Sequence, residues 1–286
     1  MSKLILRLVR WGARLIPVPL QKALFRLPPF RWLAGRLMRL ATPDGLMDIE
    51  ITGGALAGRR MRLDVLNEIH YWRGKHDEKL QAAFADWVKP GMVVYDAGAN
   101  IGFHSLYLAV LVGLGGEVHA FEPLPSNVER LEANLELNGN PGNIKVVAKA
   151  AAGHDGGIDF LVHENFLAGK VDVTAGWEEA EFSGRITVPA VTLDEYAYGE
   201  GKRLPDVVKF DIQGSEVVAL VGMKRLLSEV KPLIFIDLHG REAVETCTKL
   251  LEQAGYTFHM VQPGYSEMEY VDPEQRGVQM LARPPR

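Results

Sequence analysis

The sequence predicts an α/β protein built on a mostly parallel sheet, and three observations lead there. From residue 92 onward, short apolar runs alternate with helical stretches, the order that a parallel sheet with crossover helices requires. The first run, Val93-Val94-Tyr95, leads into Asp96-Ala97-Gly98-Ala99-Asn100-Ile101-Gly102, a glycine-containing turn that opens a helix. The next, Val118-His119-Ala120-Phe121, ends in Glu122-Pro123. β-branched and aromatic runs bounded by glycine suit strands covered on both faces.

Each element follows in order. Residues 46–65 alternate around Gly53-Gly54 and Gly58, which predicts a hairpin of Asp48–Thr52 against Arg60–Asp64. Glu78–Val88 reads as a helix feeding the turn Lys89-Pro90-Gly91. The core pattern predicts a strand at 92–96, a helix at 101–112, a strand at 117–121, a helix at 125–138 and a strand at 144–149. Pro125-Ser126 supplies the cap and start of the second of these helices. An irregular region, 152–190, holds strands at 157–163 and 185–191. A strand at 207–211, a helix at 215–229, a strand at 233–238 and a helix at 241–254 come next. Strands at 256–261 and 277–283 pair antiparallel and close one edge. The expected division is a basic helical extension over 1–45, the hairpin and a connection over 46–75, and the α/β domain over 76–286.

Composition narrows the classes. A chain of 286 residues has room for one large α/β domain plus an extension, and a formal net charge of -4 argues against a general nucleic-acid binder. The single Cys247 excludes an intramolecular disulfide and any CxxC metal site, and it fits a reducing, cytoplasmic setting. Residues 1–43 contain no acid, and Lys3, Arg7, Arg10 and Arg14 recur at helical spacing with Leu4, Leu8, Trp11 and Leu15. Three readings compete for this amphipathic segment: peripheral contact of residues 1–40 with an anionic membrane or a lipid-like substrate, packing on its own domain or a homodimer partner, and a cleaved transit peptide. Charges every three or four residues rule out a transmembrane span. Ala97 to Gly116 carries no formal charge, but Asn100, His104 and five glycines make it a buried crossover rather than a membrane helix.

The turn after the first core strand carries the ligand chemistry. Gly98 and Gly102 are four apart, not spaced as the G-x-G-x-x-G of a dinucleotide site. Asp96 precedes them, where it would repel a pyrophosphate but suit a sulfonium cofactor with an α-amino group. S-adenosyl-L-methionine fits that description. Glu122, ending the next strand, stands where an acid accepts hydrogen bonds from both ribose hydroxyls. The competing reading is an ordinary crossover with no ligand. In open sheets ligands lie beyond the carboxyl ends of the strands, and those ends here are Asp96, Glu122, Lys149-Ala150-Ala151, Asp211 and Asp237-Leu238-His239. A second cluster, Val207-Val208-Lys209-Phe210-Asp211-Ile212-Gln213-Gly214-Ser215-Glu216, turns from strand to helix. Glu216 there sits in the first turn, where the helix dipole favours an acid.

Together, D-A-G-A-N-I-G, F-E-P and K-F-D-I-Q-G-S-E resemble the FkbM family of S-adenosylmethionine-dependent methyltransferases. The segments Asn134-Leu135-Glu136-Leu137-Asn138 and Val188–Asp194 are similar too, so that the resemblance covers roughly residues 76–240. It implies a class I methyltransferase (Rossmann-like) fold, with a seven-stranded mostly parallel sheet and an antiparallel closing strand. It also implies methyl transfer to a hydroxyl of a sugar, polyketide or related small molecule. Asp96, Gly98, Asn100 and Gly102 match the family's cofactor loop, Glu122 its ribose acid, and Asp211, Gly214 and Glu216 its later D-x-E-G-x-E pattern. Gln213 departs from it, standing where the family has glutamate, which weakens a metal assignment.

The expected cofactor site is therefore Asp96, Gly98, Asn100, Gly102, Glu122, Ala151 and Asp211, with no metal. A hydroxyl acceptor needs a positioned base. Asp211 is the first candidate, His239 the second and His104 the third. Phe166, Trp177 and Phe182, within 163–184, are candidates for a lid or substrate wall, and an amphiphilic acceptor such as a glycolipid suits the basic N-terminus. The alternatives are a non-catalytic cofactor binder or scaffold and, less favoured by the glycine spacing, an NAD-dependent oxidoreductase.

Overall fold

The computed structural model describes residues 45–64, 68–163, 169–171, 182–262, 264–268, 271–272 and 277–285. The basic segment 1–40, and Phe166 and Trp177 of the expected lid, lie outside the described residues, as does the side chain of Phe182. The chain divides between Lys75 and His76 into two compact units. In the first, β1 (Leu46–Glu50) pairs antiparallel with β2 (Arg60–Asp64), and the cross-strand pair Arg62–Asp48 closes at 2.9 Å. The short helix α1 (Ile69–Trp72) follows.

The second unit begins with α2 (Glu78–Trp87) and contains a seven-stranded sheet. Its strands are β3 (Val93–Ala97), β4 (Glu117–Phe121), β5 (Ile144–Val147), β10 (Val207–Phe210), β11 (Leu233–His239), β12 (Thr257–Met260) and β13 (Gly277–Arg283). Their spatial order is β12-β13-β11-β10-β3-β4-β5. Only β13 runs against its neighbours, inserted between β11 and β12. Strands β6 (Ala150–Ala151), β7 (Gly156–His163), β8 (Gly169–Val171) and β9 (Phe182–Val191) form a separate four-stranded sheet. One face of the central strands is apolar and buried, with Tyr95, Phe121, Phe210 and Ile236 in one core. Each large side chain buried this way contributes about 1.5–3 kcal/mol. Among the described residues no helix is long and apolar enough to cross a membrane.

The order of strands locates the site. From β3 the chain builds outward through β4 to β5, then returns to lay β10 on the other side of β3. Between β3 and β10 the direction of winding reverses, and in open α/β sheets a ligand crevice opens at that point, past the carboxyl ends of the strands.

The hairpin's first strand runs Leu46–Glu50 rather than Asp48–Thr52, and three of the other changed boundaries have a visible cause. The strand foreseen at 144–149 stops at Val147, because the chain turns there (Lys149 N–H to the Val147 carbonyl, 2.7 Å) and Ala150-Ala151 joins β9 instead. Helix α4 (Pro125–Leu137) starts on Pro125 with Leu124 before it, and Ser126 does not cap it. The helix foreseen at 215–229 is broken: α5 (Glu216–Val221) ends at Gly222, and a π-helical turn follows at Leu226–Val230. A Cβ on Gly222 would lie 2.0 Å from the Ala152 carbonyl oxygen, so the chain is pressed against another backbone there. Asp194 then accepts from the Arg225 and Leu226 amides and caps the new turn.

Candidate active site

The turn after β3 is held from three sides. The Gly98 and Ala99 amides both donate to the Phe121 carbonyl, at 3.0 and 2.9 Å. The buried Asn134 on α4 donates to the Ile101 carbonyl at 2.7 Å, which gives the N-L-E-L-N segment a structural use. Asn100 (φ 51°) takes a left-handed conformation and donates its amide to Glu122 Oε2 at 2.9 Å. Gly98 has φ 81°, and a Cβ on it would stand 1.9 Å from the Asp211 carbonyl oxygen. The glycine is thus required by the neighbouring strand end, which ties the cofactor loop to Asp211 through the backbone. Gly102 (φ 89°) precedes α3 (Phe103–Val112), whose first turn no side chain among the described residues caps.

Asp96 is set against a cofactor amino group by the sequence, but the amine it meets in the structure is that of Lys209. The two are register partners on β3 and β10, 2.9 Å apart, and both are almost fully buried. Ser105 donates to the same carboxylate at 2.6 Å, and Lys209 Nζ donates to the Gly98 carbonyl at 2.9 Å. Burial would lower the Lys209 ammonium, but Asp96, Asp211 and Glu122 raise it above its ordinary value. Sequence reasoning missed Lys209 as a site residue. Its signal was a lone charge in the otherwise apolar Val207–Phe210 strand, beside an acid in register.

Glu122 lies past the end of β4, buried, and accepts from the Asn100 and Leu124 amides at 2.9 Å each and from Asn127 Nδ2 at 3.4 Å. Burial pushes its carboxyl up to about 7, although those three donors and the Lys209 charge pull the other way. Each carboxylate oxygen has a second lone pair. The buried Asn127 Oδ1 beside it has no hydrogen-bond partner among the described residues. A buried acid with acceptor capacity, next to an unpartnered amide oxygen and an uncapped helix, fits the hydroxyls of a ribose. Ala151, named from the sequence, is buried in β6 and pairs with Val191 in the second sheet.

Across the crevice, Asp211 follows β10, and Asp237 and His239 lie on β11. Gln213 Nε2 donates to Asp211 Oδ1 at 2.9 Å, so the residue that departs from the family pattern steadies the acid two positions before it. Burial alone would raise the Asp211 carboxyl, but the Lys209 and His239 charges and the Gln213 bond hold it below its ordinary value. Asp237 is pushed up to about 6 by burial and by Asp211. His239 Nδ1 and Glu216 Oε1 are 3.0 Å apart, and Glu216 is fully buried. Burial lowers the imidazole, but that bond and the surrounding carboxylates raise it to about 9. Glu216 Oε1 also accepts the Gly214 amide at 3.0 Å, which joins its helix-start role to its hold on His239. His104 is buried against Phe84 and Phe103 and stacks on His76, and burial together with the Lys209 charge keeps it neutral. The structure therefore gathers Asp211 and His239 as foreseen, and adds Asp237, which was read only as a strand end.

Comparison with known proteins identifies the family. A family model described as the methyltransferase FkbM domain matches residues 96–258. A hexuronic acid methyltransferase, AglP, of Haloferax volcanii is 26% identical over 223 residues, 78% of this chain and 85% of that protein. A protein-L-isoaspartate O-methyltransferase of Aeropyrum pernix is 34% identical over 112 residues, covering 37% of this chain and 41% of the relative. The crystal structure of a methyltransferase FkbM from Methylobacillus flagellatus superposes with a TM-score of 0.43 at 18% identity, over 77% of this chain and 59% of that one.

Proposed function

Since the chain belongs to the methyltransferase FkbM family and is an S-adenosylmethionine-dependent methyltransferase, we propose that its acceptor is a hydroxyl of a sugar, a glycolipid or a related small molecule. What supports this most is the close approach of Gly98 to the Asp211 backbone, which sets the cofactor loop against the strand end that carries an acid. The sugar class is supported by the Haloferax relative, whose name specifies a sugar acid. When bound, the cofactor supplies a methyl carbon on a sulfonium, and the carbon–sulfur bond breaks with its electron pair left on sulfur. Glu122 would hold the ribose hydroxyls. Asp211 accepts the proton of the acceptor hydroxyl as that oxygen's lone pair forms the new bond to carbon. His239, fixed by Glu216, gives the acceptor oxygen a second contact, so that it lies in line for attack.

The test of the acceptor is transfer from labelled cofactor to glucuronic acid, its simple glycosides and neutral hexoses. The expected product carries the methyl as an ether that survives alkali. A methyl released by alkali, hence an ester on the sugar carboxylate, or no transfer to any sugar, contradicts the hydroxyl assignment.

The Glu122 assignment makes a pH prediction. Its folded value of about 7 lies above the ordinary 4.5, so its contribution to stability is present at low pH and is lost as pH rises through that interval. Ribose hydroxyls donate best to the charged form, so cofactor binding should expel a proton and tighten from about pH 6 to pH 8, by at most tenfold per unit. Calorimetry in two buffers of different ionisation enthalpy measures both. Glu122→Ala should weaken binding by about 1.5–3 kcal/mol for each of two charged hydrogen bonds and remove the pH dependence. Affinity in the parent that is flat with pH, or full affinity in the variant, contradicts the assignment.

A further inference from the structure

Strands β10 and β11 run parallel with Phe210 beside Ile236, so the next residues, Asp211 just past the end of β10 and Asp237 on β11, fall side by side. His239 lies two residues beyond Asp237, and the period of two puts both on one face of β11, opposite the buried Ile236 and Leu238. One donor atom from each of Asp211, Asp237 and His239 lies within 4.8 Å of the other two. Donors sharing one ion at about 2.0–2.2 Å stand roughly 3–4 Å apart. The three are therefore within a small side-chain adjustment of a common centre.

We propose that Asp211, Asp237 and His239 form a divalent-cation site at the acceptor side of the cleft. The groups behind them are those of a metal site. His239 commits Nδ1 to the buried Glu216, which fixes the ring and leaves Nε2 to bind the ion, giving up its proton as it does so. Gln213 holds Asp211 through Oδ1. Ligating imidazoles are commonly oriented by a carboxylate in this way. Two further polar atoms border the cluster with unused capacity. The neutral His104, 7% exposed, keeps Nε2 without a hydrogen-bond partner among the described residues. The fully buried Glu216 keeps Oε2 in the same condition. Buried polar atoms of this kind are normally satisfied by a group or an ordered water, and a hydrated ion brings both.

Two carboxylates and one imidazole suit ions that accept oxygen and nitrogen donors together, of which Mn2+ is a convenient probe. Three protein ligands leave positions for the acceptor. The inference rests on the methyl-transfer reading and deepens it: with the ion bound, the contact that His239 gives the acceptor oxygen runs through the ion rather than directly. Charge at the acceptor oxygen loosens its hold on the proton that Asp211 accepts, and adjacent sugar oxygens can chelate the ion.

The experiment is titration of the full chain with Mn2+ alone, followed by loss of the free-ion paramagnetic resonance signal. S-adenosylmethionine is titrated separately by calorimetry. One ion per chain is expected, with Asp237→Asn and His239→Ala each weakening Mn2+ binding at least about tenfold, the low end for loss of a ligand or its support. Both variants should keep the parent's circular dichroism and cofactor affinity. If the parent binds no more Mn2+ than Asp237→Asn while still binding cofactor, the ion site is overturned and the methyltransferase reading stands. If Mn2+ binds as expected and the cofactor does not, the ion site stands and that reading fails.

Discussion

Asp211→Asn should slow turnover by about 10²- to 10⁴-fold while leaving S-adenosylmethionine affinity close to that of the parent. The amide keeps the shape of the side chain, and its oxygen can still accept from Gln213 Nε2, so the local geometry survives. What is lost is a charged proton acceptor at the end of β10, next to the Gly98 turn. The effect corresponds to about 3–5 kcal/mol of the barrier, since each tenfold is about 1.4 kcal/mol. It should fall on kcat, because the group acts as the bond to carbon forms rather than as the cofactor docks. Initial rates with cofactor and acceptor varied separately make the distinction. Parent-like kcat in this variant would remove Asp211 from the proton-accepting role.

Lys209→Met should destabilise the fold by about 3–5 kcal/mol, the usual result of leaving a buried charge without its partner. Asp96 would remain 0% exposed with only Ser105 donating to it among its bonds described above, and the Gly98 carbonyl would lose its ammonium donor. Domains of this size have total stabilities of about 5–15 kcal/mol, so the loss is a large share. The double variant Asp96→Asn with Lys209→Met should recover part of it, because the uncompensated charge is then gone. Denaturant unfolding of parent, single and double variants measures the coupling directly. A single variant as stable as the parent contradicts the pairing.

Much of this was legible in the sequence, for a physical reason. A parallel sheet buried on both faces writes its strands as continuous apolar runs, and the acids at their ends interrupt those runs visibly. Asp96, Glu122, Asp211 and Asp237 could be read off in this way. The glycine turn follows from the same alternation, whereas the switch between β3 and β10 appears only in the strand order of the folded sheet. What depended on register was not legible. Lys209 reads as one more residue of a motif until β10 is laid beside β3 and its amine falls on Asp96. Glu216 and His239 are separated by 23 positions, and only the adjacency of α5 and β11 joins them. The break at Gly222 is set by the Ala152 carbonyl, a contact no local propensity records. Gln213 looks like a defect against the family pattern, and its donation to Asp211 appears only once the turn is built.

The central claim, that the turn from Asp96 to Gly102 and Glu122 together bind a nucleoside sulfonium, is tested most directly by calorimetric titration of the purified full chain. S-adenosylmethionine, its demethylated product and NAD would be titrated in parallel. The expected result is binding of the first two with dissociation constants on the order of micromolar, about -8 kcal/mol, and none of NAD. Binding of NAD alone, or of none of the three by a folded chain, would contradict it.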